Sequence, residues 1–98
     1  MRALILAKAK LPPPAEAMPM LVQGFIDWRE RYRGQMETFE FFASGNGGYG
    51  VVNMDEATLF GMMVSWPFAP FSDIEIHALV EGDKALGMFL EIIQQMGG

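Results

Sequence analysis

Apolar positions along the chain switch between a two-residue and a roughly 3.6-residue period, and the switches mark out its elements. From Arg2 to Lys10, alternation sets Leu4, Leu6 and Lys8 on one side and Ala3, Ile5 and Ala7 on the other, which predicts a strand ended by Pro12-Pro13-Pro14. Leu21, Phe25, Trp28 and Tyr32 then recur at helical spacing. They predict a helix that begins between Ala15 and Met20, admits Pro19 only in its first turn, and stops at Gly34.

Two β-rich runs follow, Met36 to Ala43 and Tyr49 to Met54. Ser44-Gly45-Asn46-Gly47-Gly48 joins them, and its glycines and asparagine suit the positive φ of a hairpin turn. Asp55 is placed to cap a second helix whose Leu59, Met62 and Met63 face inward until Pro67 breaks it. Asp73 to Val80 alternates again as a fourth strand. Asp83 is the expected cap of a third helix, with Leu86, Phe89, Leu90 and Ile93 as its apolar stripe and Gly97-Gly98 at its end.

The order β-α-β-β-α-β plus a helix predicts an α+β, ferredoxin-like fold: one four-stranded antiparallel sheet with two helices on one face. The reading is a single domain over 1–98, with the βαββαβ core in 1–81 and the C-terminal helix in 82–98. No repeat, low-complexity tract or linker divides it.

Alternation also predicts which residues share a sheet face. Phe39, Phe41, Gly50, Val52 and Met54 belong to the helix-covered side, and Thr38, Glu40, Phe42, Tyr49, Val51 and Asn53 to the open side. In the fourth strand, Ile74, Ile76 and Val80 fall opposite Asp73, Glu75, His77 and Leu79. His77 is the only histidine, and Glu75 lies two residues away on the same face, within reach of a hydrogen bond to the imidazole. Lys8 occupies the corresponding side of the first strand. These residues suffice for a proton-transfer site, with Glu75 and His77 as the acid-base pair and Lys8 holding an anionic group. The plainer alternative is that the open face meets water or a second subunit.

Composition narrows the classes. Hydrophobic residues make up 51% of the 98 positions, nine of them Met, and charged residues only 19%, so apolar surface is left over for an oligomer to cover. A net charge of −5, with Arg29, Arg31 and Arg33 interleaved with acids, opposes nucleic-acid binding. An RNA-binding sheet face is opposed by Glu40 and Glu75. The absence of cysteine fits a reducing cytosol and removes thiolate chemistry, and one histidine with scattered acids makes no metal site. Ala3 to Ala7, interrupted by Lys8, is too short for a signal-peptide core, and no run spans a bilayer. The expectation is a cytoplasmic homodimer or higher homo-oligomer without cofactor, acting on neither nucleic acid nor membrane.

Gly45-Asn46-Gly47-Gly48-Tyr49-Gly50 has the glycine density of a phosphate loop, but it joins two strands with no helix N-terminus after it, so a hairpin turn is the better reading. More telling is Trp66-Pro67-Phe68-Ala69-Pro70-Phe71-Ser72, an aromatic and proline-punctuated loop that runs straight into the fourth strand. Its rings need burial, in a ligand wall or a subunit contact.

With Lys10-Leu11-Pro12 and Gly48-Tyr49-Gly50-Val51-Val52, the stretch from Trp66 to Ile76 resembles muconolactone isomerase and related dimeric α+β-barrel proteins over residues 3 to 80. The resemblance implies an oligomer with sheets facing one another around a ligand pocket, and extends to an isomerase-like proton shift. On that reading a small apolar or aromatic ligand sits against Phe42, Tyr49, Trp66 and Phe68. The alternative is a non-catalytic self-association or protein-interaction module. The third helix departs from the family pattern.

Overall fold

The computed structural model describes residues 1–97. Four strands, β1 (Arg2–Ala9), β2 (Met36–Phe41), β3 (Gly47–Asn53) and β4 (Ser72–Ala78), form one antiparallel sheet in the order β2-β3-β1-β4. Helices α1 (Met18–Tyr32) and α2 (Glu56–Val64) connect the strands in the ferredoxin-like sequence, and α3 (Gly82–Gly97) follows β4. The expected α+β architecture is therefore present, C-terminal helix included, with Gly98 outside the described residues.

Register fixes the two faces. Ala3 pairs with Val52 and Ala78, and Ile5 with Gly50 and Ile76, on the helix-covered side. There Ala3, Ile5, Val52 and Met54 join Trp28 of α1 and Leu59 and Met62 of α2 in the buried core. On the open side, Leu4 lies between Val51 and His77, and Leu6 between Tyr49 and Glu75. A bulge between Met36 and Thr38 shifts β2 by one residue, so that Met36 faces the helices opposite Val52 while Thr38 and Glu40 face out.

Local signals set most boundaries. Asp55 caps α2 by accepting from the Thr58 N–H at 2.7 Å, and Pro19 occupies the first turn of α1. The β2–β3 turn takes its positive φ from Gly45 and Gly47 alone; Asn46 keeps a negative φ, contrary to expectation. Gly34 falls inside a one-turn 3-10 helix after α1 and does not stop it directly.

At α3 the cap differs too. The Glu81 carboxylate accepts the backbone N–H groups of Asp83 (3.0 Å) and Lys84 (2.9 Å), so Glu81 performs the capping expected of Asp83, which is already helical. β4 ends at Ala78, and Leu79 is held by its N–H to the Arg2 carbonyl at 2.8 Å. From there α3 leaves the domain, lengthening the molecule to 64 Å against 25 and 21 Å in the other directions.

Candidate functional site

β3 carries glycine where its neighbours carry large side chains. On the helix-covered face Gly48 pairs with Phe41 and Ala7, and Gly50 with Phe39 and Ile5, so β3 adds no side chain of its own beneath α1 there, and only the Met36 methyl reaches over Gly50. The space left is a cavity of about 920 Å³ whose lining runs from Ala9, Lys10, Gly47 and Ser72 at one end of the sheet to Arg33 and Met36 at the other. That volume is at the upper end of ordinary small-molecule sites.

Phe25 on α1 is the centre of its wall. The rings of Trp28, Phe39, Phe41, Trp66 and Phe68 surround it at centroid separations of 5.5 to 5.8 Å, mostly edge-on or tilted. The aromatic loop reaches this cluster because α1 has glycine where the loop crosses it. A Cβ on Gly24 would come within 3.2 Å of Pro67 Cγ. Sequence periodicity had put Phe25, Phe39 and Phe41 on the buried face as core, and did not separate core from cavity wall. Gly48 and Gly50, on that same face, were the signal for the gap.

Polar groups are few and lie at the rim. The Arg29 guanidinium sits over the Phe39 ring, 4.8 Å from its centroid, and contacts the Met36 sulfur at 3.8 Å, with no carboxylate partner among the described residues. Lys10 pairs loosely with Asp73 at 3.8 Å. Arg33 is hydrogen-bonded to Glu30, which holds the Glu30 carboxyl below and the Arg33 guanidinium above their usual ranges. Trp66 lines the cavity with a buried Nε1–H that has no acceptor, a donor that costs about 1–3 kcal/mol to leave unpaired.

The residues expected to form one site lie on the two faces of the sheet. Trp66 and Phe68 belong to the helix-covered cavity. Glu75 and His77 are together on the open face, Oε2 to Nε2 at 3.4 Å and both well exposed. Lys8 is on that face too, opposite Asp73 in the register. Tyr49 borders the cavity, yet its hydroxyl donates to Glu40 at 2.7 Å on the open side, a hydrogen bond that raises its pKa, and its ring stacks with Phe42 at 6.4 Å. The sheet thus stands between the aromatic wall and the Glu75–His77 pair. Among the described residues, no three His, Asp or Glu side chains converge as a metal site would require. No described helix is long and apolar enough to cross a membrane.

No family model and no curated protein matches the chain. Solved structures do. Muconolactone isomerase superposes with a TM-score of 0.70 at 22% identity, covering 83% of this chain and 90% of that one. A 5-chloro-2-hydroxyhydroquinone dehydrochlorinase from Burkholderia phenoliruptrix AC1100, in complex with 2,5-dihydroxybenzoquinone, superposes with a TM-score of 0.67 at 12% identity, covering 86% and 98%. The chain therefore has the muconolactone isomerase-like α+β fold that its loop and hairpin motifs resemble. At these identities the likeness is one of fold alone.

Proposed function

We propose that the protein binds a flat, oxygen-bearing small molecule in the cavity between the sheet and α1. The observation that carries this reading is the ring of aromatic side chains around Phe25 facing the bare backbone of Gly48 and Gly50. Planar faces and edges suit a planar guest, and bare backbone lets it approach the strand. Arg29 at the rim supplies a cation for a carboxylate or phenolate, and the Trp66 indole supplies an unused donor once a ligand oxygen is admitted beside it. Support comes also from the two related folds, whose names concern small oxygenated rings.

Isothermal titration calorimetry against 2,5-dihydroxybenzoquinone and a set of hydroxylated benzoates and lactones tests the reading. Saturable binding to at least one compound is expected, weakened tenfold or more by Ala7→Phe, which places a ring in the cavity from β1. A folded protein that binds none of them, or binds equally well with Ala7→Phe, would refute it.

A second reading concerns the open face, where the 3.4 Å contact of Glu75 with His77 supports a proton-shift isomerisation in a pocket between paired sheets. In it Lys8 holds an anionic substrate group while Phe42 and Tyr49 form the wall. Unchanged lactone isomerisation in His77→Ala and Glu75→Gln would dispose of this assignment.

A further inference from the structure

Beyond the aromatic cage around Phe25, the cavity continues along α1 as a trough of aliphatic side chains. Met18, Val22 and Ile26 follow one another at four-residue spacing on one stripe of the helix, and Leu11 and Pro12 of the segment after β1 line the same cavity. Met18, Val22, Ile26 and Leu11 are between 36% and 55% exposed. Exposed apolar side chains scattered singly are ordinary, but a contiguous set that runs on from a ligand cavity marks a surface that something covers.

Charge is distributed unequally along this trough. Lys10, at the aliphatic end, faces Asp73 at 3.8 Å, and Arg33, at the other end, is bound to Glu30. Arg29, one turn beyond Phe25, lies between them with the Phe39 ring and the Met36 sulfur as its contacts and no carboxylate partner among the described residues. Met18 and Arg29 are eleven residues apart on α1, about 16 Å at ~1.5 Å per residue. A single ring seated at Phe25 with its anionic group on Arg29 leaves the stretch from Val22 to Met18 empty. The volume of about 920 Å³ likewise suits a drug-sized molecule and far exceeds the bulk of one ring.

We infer that the ligand has two parts: a planar aromatic carboxylate head, held between Phe25 and the backbone of Gly48 and Gly50 with its anion at Arg29, and an aliphatic tail that lies along Val22 and Met18. The inference rests on the cavity being the binding site, and adds the class of molecule, an alkyl-substituted aromatic acid. The order of side chains along α1 sets its orientation. Rings and bare backbone surround the head, while aliphatic side chains, with the pliable Met18 among them, receive the tail. A second copy of the chain seated on the trough would leave the tail no room, and the same measurements separate the two occupants.

Isothermal titration calorimetry with benzoate, para-butylbenzoate and para-octylbenzoate, the last below its micellar concentration, tests the class. Full burial of a CH₂ group tightens binding roughly fourfold, so an octyl tail half covered by the trough should bind at least about a hundredfold more tightly than benzoate, with the butyl compound between them. Met18→Gln with Val22→Gln, neutral changes at partly exposed helix positions, should cut that octyl-to-benzoate ratio below about tenfold while helical circular dichroism is retained. Phe89→Gln with Ile93→Gln, on the exposed apolar face of α3, should leave the ratio within about twofold of wild type. Benzoate binding with an octyl advantage under about threefold overturns the inference and leaves the cavity reading standing, which is the result a trough covered by a second copy would give. An advantage that survives Met18→Gln with Val22→Gln, or that disappears with the α3 substitutions instead, also overturns it, because the tail then lies elsewhere. If none of the three acids binds while 2,5-dihydroxybenzoquinone does, the inference fails alone; if nothing binds, the cavity reading fails with it.

Discussion

The Trp28 indole Nε1 donates to the Met62 carbonyl at 2.8 Å inside the core, tying α1 to α2 above the sheet. Met62 is fully buried and Trp28 nearly so, so the bond has no water to replace it. Trp66, in ring contact with Trp28 at 6.2 Å, has the opposite situation: a buried donor with no acceptor. Two neighbouring indoles therefore differ in what their N–H contributes.

Replacing each by phenylalanine should expose that difference. Trp28→Phe loses volume and leaves the Met62 carbonyl unpaired, a cost of about 2–4 kcal/mol in urea unfolding. Trp66→Phe loses similar volume but also removes a donor that was costing free energy, so its effect should stay below about 1.5 kcal/mol. If Trp66→Phe proves the more damaging, the unpaired donor has been misjudged.

Much of this fold was legible because its signals are local. Alternation in β1 and β4, the Asp55 cap and the glycine-rich hairpin each act over a few residues, and together they specify element order and sheet faces. The cavity was less legible. Phe25, Phe39 and Phe41 obey the same periodicity as filled core, and only the pairing of Phe39 with Gly50 and Phe41 with Gly48 shows that volume is missing between them. The aromatic loop is half-buried, as its rings require, but alternation does not decide which side of the sheet a loop packs on. That was decided by Gly24 accepting Pro67. The Asp83 cap was misplaced because Glu81 is an uncommon capping residue, two positions ahead of the one the usual preference selects.

Gly48 is also required by the close approach of β2 to β3. A Cβ there would collide with the Glu40 carbonyl oxygen and crowd Phe41 Cα, both backbone atoms of β2 that no side-chain rotation can relieve. Gly48→Ala should therefore cost about 2–3 kcal/mol, near the top of the ordinary range for a point substitution. Gly34→Ala, with open space around its Cβ, is the matched control and should be close to neutral. Thermal unfolding of both variants reads the contrast.

The Glu81 cap gives α3 a pH dependence. The N–H groups of Asp83 and then Lys84 hold the Glu81 carboxyl below the usual carboxylate range. A depressed folded-state pKa contributes stability that is present above the unfolded value, about 4.3, and is lost as pH falls through the folded one. Helical circular dichroism should therefore decline on acidification below about pH 4.3. Glu81→Gln should start with less helix and lose less between pH 5 and 3, because it has no carboxylate to protonate. An identical acid profile in the two proteins would show that the cap does not govern α3.

Arg29 tests the charge preference of the proposed site. Its guanidinium lies over Phe39 and meets a thioether, contacts that position it without neutralising it. Arg33 and Lys10, by contrast, already face Glu30 and Asp73. An anionic ligand group at the rim beside Phe39 would find Arg29 the least compensated cation, and a charge-assisted hydrogen bond there contributes about 1.5–3 kcal/mol, or roughly ten- to a hundredfold in Kd. Arg29→Met keeps the apolar stem against Phe39 and removes the charge, so neutral planar ligands should bind within about threefold of wild type, given that exposed cation–π contacts are worth only ~0.5–1 kcal/mol. Carboxylate- or phenolate-bearing ligands should weaken tenfold or more, and added salt should reduce that difference as the rim charge is screened. Equal losses for neutral and anionic ligands would mean that Arg29 shapes the wall and does not select charge.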